Sequence, residues 1–414
     1  MKKVLFIFLF STVLLNAQSV LYTMPAEDMH HEGTWLQWPH NFTYPQWYWQ
    51  EDNEPAFIQM VAALESGENV HIIVYDANEQ THVHQALLNT SIPLTNIDFY
   101  IHQNDDYWVR DNGPIFVYDN NDNLKILDFG FNGWGGDTPY NLCDQIPSLI
   151  AADLNIPVID LSAMVFEGGA IEIDGNGSVL LTRSSITGAD RNPNLTESQI
   201  EDYMTTYLGL TNFIWLDGQF GGSLDITDMH IDGFAKFLDV NTIVTMSNTD
   251  LDYWGLSNQD ITTLTSATDL NGTPYSYITL PLTQNDVTTS WGGNVQFKGS
   301  YVNYYIANDA VLVPIYNDPN DSTALGIIQG LYPNKTAVGI DCSNMFYEGG
   351  MVHCVTQQQP VTLSSTSISE TNSSDKSLVK IVDILGRNVN KKLNQILFYI
   401  FDDGSVEKKM HINE

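Results

Sequence analysis

A chain of 414 residues with 50 acidic and 16 basic side chains carries a formal charge of -34 at neutral pH. That balance excludes the phosphate-neutralising surface on which nucleic-acid binding depends, and it is compatible with a cationic substrate. Three cysteines are too few for a disulfide scaffold or a four-cysteine zinc site, so either Cys143 pairs with Cys342 and leaves Cys354 free, or all three are thiols.

Taken in chain order, residues 1–19 join Lys2 and Lys3 to an apolar run from Val4 to Leu15 and a short polar tail. This is the layout of a secretory signal peptide with cleavage near Ala17 or Ser19. The run is too short to span a bilayer, and no later segment reads as transmembrane. The expected destination is therefore secreted or cell-surface, by export through the periplasm.

The body, residues 20–361, alternates strands with helices. Pro55 to Glu65 reads as a helix, and the β-branched runs His71 to Asp76, Pro114 to Asp119, Ser178 to Thr182 and Thr242 to Met246 read as strands. Leu195 to Gly209 has a capping box in Thr196 and Gln199 and a glycine stop, and Ser322 to Pro333 makes a further helix. Alternation of this kind indicates an α/β domain. Residues 362–376 form a Ser/Thr-rich linker. Beyond it, 377–414 alternates as a small β-module with a turn at Asp402, Asp403 and Gly404, and seven of the sixteen basic residues lie between Lys376 and Lys409.

Five stretches concentrate polar side chains beside glycines and apolar runs: YWVRDNGP at 107–114, FNGWGG at 131–136, FEGGAIEIDG at 166–175, DITDMHIDGFAKF at 225–237 and GGMVHC at 349–354. On a strand, His230 and Asp232 would share a face. A thiolate, an imidazole and several carboxylates suit attack on a guanidinium. Carboxylates hold its planar fork, the sulfur adds to its carbon, and the imidazole delivers the proton with which ammonia leaves.

These blocks, together with MPAED at 24–28, RNPNL at 191–195 and the run GGMVHCVTQQQP, occur in an order that resembles the agmatine deiminase and bacterial-type peptidylarginine deiminase family of the guanidine-modifying superfamily. The resemblance spans Tyr22 to Pro360. It implies a pentein fold, a five-bladed propeller of ββαβ units around an acidic tunnel, and no metal or cofactor. By matched position it implies Cys354 as nucleophile, His230 as general acid and base, Asp111 and Asp232 as the guanidinium carboxylates, and Glu167 as the acid orienting the histidine. Trp108 and Trp134 are expected in the tunnel wall.

The implied reaction converts agmatine to N-carbamoylputrescine, with peptidylarginine as the alternative substrate and a non-catalytic guanidinium or polyamine binder as a further one. The block 131–136 lacks the arginines that would bind a peptide's terminal carboxylate, whereas Asp28 and Met229 stand where the agmatine type has Trp and Gly. The C-terminal module resembles a type IX secretion sorting domain at Lys380 to Arg387 and Asp402 to Ser405, which implies the type IX machinery as a partner.

Other features have plainer readings. Arg110 reads as a structural ion pair, and His353, next to Cys354, as a structural residue facing away from it. His30, His31 and Glu32 are adjacent and point apart, so they are not expected to hold a metal. Asp119 to Asp122 reads as a hairpin turn.

Overall fold

A computed structural model describes residues 20–219, 225–363, 378–382, 387, 389, 396–401 and 406–410. The segment read as a signal peptide, nearly all of the linker and the Asp402 to Gly404 turn lie outside these residues. The described residues divide into two compact units, one up to Leu363 and one beyond it.

In the first unit one local arrangement recurs. Ile115–Asp119 and Leu124–Gly130 make an antiparallel hairpin, the helix Ile146–Leu154 crosses over, and Val158–Val165 returns parallel to the second strand. Hairpin, helix and parallel strand follow in the same order at 171–216, 235–279 and 305–341. A parallel return needs such a crossover, because no tight turn can reverse the chain that far. The fifth sheet joins the two ends of the unit. Gln357–Pro360 pairs antiparallel with His31–Gln37, which continues through the helix Trp49–Leu64 to parallel Asn69–Val74, and through Ala77–Asn89 to Ile97–Ile101. Tyr22–Thr23 adds an edge to the first sheet.

Several of the elements fall where the sequence puts them. Ser178–Thr182 is buried at every position because it is the middle strand of its sheet, which accounts for its unbroken apolar run. The helix Glu197–Leu208 has both halves of the Thr196–Gln199 capping box, and Gly209 ends it at φ 77°. Ile200, Met204 and Leu208 form its buried stripe, each contributing about 1.5–3 kcal/mol. Asp119 makes the expected hairpin turn, its carboxylate accepting the backbone N–H groups of Asn121 and Asn123.

Other expectations need correction. The helix expected from Pro55 begins at Trp49, so Pro55 lies inside it and removes one intrahelical hydrogen bond. The added turns bury Trp49, and the Asn53 amide buried with it donates to Trp49 O and Tyr107 Oη. The segments carrying His230 with Asp232 and carrying Cys354 are not strands but single turns of 3-10 helix, Ile231–Gly233 and His353–Val355. Alternation of faces therefore does not apply to them. Of the two readings left open for the cysteines the structure has the second, with all three as free thiols.

In the second unit Leu378–Val382, Ile396–Phe401 and Val406–Met410 form an antiparallel sheet with Ile396–Phe401 in the middle. No helix among the described residues is long and apolar enough to cross a membrane.

Candidate active site

Each of the five sheets in the first unit lends the short segment that leads into its hairpin's first strand. Asp111 lies in Val109–Asn112, before Ile115–Asp119; Glu167 precedes Gly168–Ala170 and Ile171–Ile173; His230 and Asp232 precede Ala235–Asp239. Asn303 precedes Tyr305–Ile306, and Cys354 precedes Gln357–Pro360. The groups come together because equivalent positions of five similar units face one place.

At its centre, His230 Nε2 lies 2.7 Å from Glu167 Oε2, and its Nδ1 faces Asp111 Oδ1 at 3.6 Å. Asp111 is fixed by two donors, the Trp134 indole N–H at 3.0 Å and the Gly169 backbone N–H at 3.0 Å. The thiol of Cys354 is 3.9 Å from Asp232 Oδ2, and the Asn303 amide nitrogen is 3.6 Å from the same sulfur. Gly169 sits where these groups meet. A methyl added there would stand 2.6 Å from His230 Nδ1, 2.9 Å from Asp111 Oδ1 and 3.0 Å from Asp232 Oδ2. The glycine thus leaves room for the polar groups to converge. Gly350 has a similar reason, since its added carbon would be 2.3 Å from the Trp108 ring.

Behind these groups lies a layer that sequence reasoning missed. His353 does not face away. Its Nδ1 is 2.8 Å from Asp232 Oδ2 and its Nε2 is 2.7 Å from Glu27 Oε2. Glu27 also meets Lys236 at 3.0 Å, Arg110 at 3.6 Å and the backbone N–H of Ile306 at 2.9 Å. Arg110 is accordingly structural as expected, but its carboxylate partner is Glu27. Glu167 is held on its other side by Arg191, whose Nε donates at 2.6 Å. Glu27 and Arg191 stand in the MPAED and RNPNL blocks, which marked the positions but not their partners; Asn303 had no signal in the sequence.

Burial and charge set the protonation states. Burial presses the His230 imidazole down, but Asp111, the hydrogen bond and charge of Glu167, and Asp232 outweigh it and bring its pKa to about 9. Burial lifts Asp111 to about 6, with His230 opposing. Asp232, although buried, is held below the usual carboxylate range by its bond to His353 and the charges of His353, His230 and Arg110. Cys354 is pushed well above an ordinary thiol, by burial first and then by Asp232 and Asp111. The resting site therefore pairs a neutral thiol with a charged imidazole, and a cation placed between the two carboxylates would ease ionisation of the sulfur.

Trp108 and Trp134 are both buried, Trp134 at a left-handed φ of 53°. Met229 also has a positive φ, 69°, so the chain adopts there, with a bulky side chain, a backbone that favours glycine.

The family described as Porphyromonas-type peptidyl-arginine deiminase matches residues 23–360. The "Putative agmatine deiminase" of Latilactobacillus sakei is 30% identical over 364 residues, covering 82% of this chain and 96% of its own. Among solved structures, an agmatine deiminase of Enterococcus faecalis is 28% identical with a TM-score of 0.70, covering 83% of this chain and 96% of that one. A structure described as "a putative peptidyl-arginine deiminase" is 30% identical with a TM-score of 0.72, over 82% of this chain and 99% of its own. These similarities carry the α/β pentein fold. The chain belongs to the Porphyromonas-type peptidyl-arginine deiminase family and is a hydrolase that acts on carbon–nitrogen bonds.

Proposed function

We propose that the protein deiminates a small guanidine, agmatine first among them, through a covalent intermediate on Cys354. The observation that carries this reading is the convergence of His230, Asp111 and Asp232 on the space above Gly169, with the Cys354 thiol against Asp232. Asp111 and Asp232 would accept the guanidinium fork and hold it fully protonated, which keeps its carbon electrophilic. Once the bound cation has driven the Cys354 proton off to solvent, the thiolate adds to that carbon, and the C–N bond breaks as His230 gives its proton to the departing ammonia. Water, giving a proton to the same imidazole, then adds to the carbon, and the C–S bond breaks to free the thiol and a ureido product. Glu167, bonded to Nε2, orients the ring and stabilises its charged form. Trp134 fixes Asp111, and Trp108 walls the turn that carries the sulfur.

The substrate reading rests on Arg191 as well as on the relatives' names. A methyl on Gly135, in the FNGWGG block, would lie 2.7 Å from the Arg191 guanidinium. That group is already countered by Glu167, Asp190 and Asp228 at 2.6, 3.0 and 3.2 Å. It has little charge left for a substrate carboxylate, which favours agmatine over arginine or a C-terminal arginyl peptide. Five sheets of one pattern support a five-bladed propeller.

Incubation with agmatine, arginine and arginyl peptides, followed by assay of ammonia and ureido product, tests the function. Agmatine is expected to turn over fastest, and Cys354→Ser to abolish turnover. No reaction with any of them removes the proposal. The export reading rests on the composition of residues 1–19 and the tail. It predicts a mature N-terminus near residue 18 or 20 in protein recovered from the cell exterior, with transport through the type IX machinery.

A further inference from the structure

Upstream of Gly349 and Gly350 the chain borders a second cavity of about 670 Å3. Its walls come from three separate stretches: the loop and first helical turn at 46–52, Trp291, and Tyr347 with Glu348. Asp111, Asp232, His230 and Cys354 do not line it.

The composition of the wall is specific. Trp47, Tyr48, Trp291 and Tyr347 are 50%, 61%, 48% and 54% exposed. Glu51, Asp52 and Glu348 lie among them, and among the described residues no lysine or arginine lines the space. Large half-exposed rings forgo burial worth about 25 cal/mol per Å2 of apolar area, and four grouped around one hollow mark a surface that something covers. The rings also have fixed neighbours. Trp291 meets Tyr347 edge to face at 5.7 Å, and Trp47 packs on Tyr44 at 5.5 Å and on Trp49 at 5.8 Å. Trp49 in turn donates to Glu348 at 2.8 Å. The faces of aromatic rings and carboxylates share one electrostatic preference, which is for positive charge. A neutral apolar occupant would desolvate the carboxylates, of which Glu51 and Glu348 have one donor each, in Asn41 and Trp49, and an anion would be repelled.

We propose that this cavity binds an organic cation, an alkylammonium group that rests against the aromatic faces and is countered by Glu51, Asp52 and Glu348. The site depends on its own walls and not on the deimination chemistry.

The test titrates tetramethylammonium, putrescine and the neutral tert-butanol into the full-length protein, followed by calorimetry and by tryptophan fluorescence. Saturable binding of the two cations is expected, at least tenfold tighter than of tert-butanol. Trp291→Ala and Glu348→Gln should each weaken it at least fivefold while leaving the thermal midpoint unchanged, and the second variant keeps the shape of the wall. Absence of saturation, equal affinity for tert-butanol, or cation affinity unchanged in both variants overturns the proposal. None of these results bears on whether agmatine is hydrolysed, and loss of turnover would not affect them.

Discussion

Replacing Gly169 with alanine adds one methyl group and asks the site to make room for it. Gly169 lies outside the left-handed region, so alanine incurs no backbone strain there. The cost is local, because the new carbon stands 2.6 Å from His230 Nδ1 and within 3.0 Å of both carboxylates. To reach ordinary contact the imidazole must retreat by roughly 0.8 Å, and a misplacement near 1 Å costs on the order of 100-fold in rate. That corresponds to about 2.7 kcal/mol of transition-state stabilisation. Ammonia release from agmatine should therefore fall about 100-fold in kcat/KM, measured well below a thermal midpoint obtained by circular dichroism. A folded Gly169→Ala protein with a rate within about threefold of the parent would refute the geometry proposed for the reaction.

Activity against pH should rise on the acid side as Asp111 ionises near 6 and fall on the alkaline side as His230 loses its proton near 9. With agmatine saturating, so that the bound cation has already eased ionisation of Cys354, a rate that keeps rising past pH 9 would mean that the neutral imidazole is the active form, against the assignment. Glu27→Gln removes the charge that joins Lys236, Arg110 and His353, and loss of a buried partner should lower stability by roughly 3–5 kcal/mol in urea denaturation. Gly326 lies in the helix Asp321–Leu331 with open space where a side chain would go, so Gly326→Ala should raise stability by about 0.5–1 kcal/mol and leave turnover unchanged.

Signals that act within a few residues of the chain were legible. The capping box at Thr196, the Gly209 stop and the apolar run Ser178–Thr182 depend on neighbours, and the sequence displays them directly. The repeated sheet pattern was not visible, because the five units share the position of a polar residue before a strand but not its identity: Asp111, Glu167, His230 with Asp232, Asn303 and Cys354. Glu27 was hidden for a related reason. Its partners His353 and Ile306 are hundreds of positions away, and no local pattern records such a bond. His353 was misread because strand alternation was applied to a 3-10 turn. The start of the helix at Trp49 was missed because a proline commonly opens a helix, and the burial that carries this one back past Pro55 to Trp49 is a tertiary effect.

The pairing of Gln357–Pro360 with His31–Gln37 brings the two ends of the first unit together, and Cys354 lies immediately before that closing strand. The sulfur therefore stands next to a pairing between the last strand of the unit and one of its first. On the reaction proposed above, a nascent chain would stay inert until its final strand docks, and a cut between Cys354 and Gln357 would part the sulfur from the strand that closes the unit.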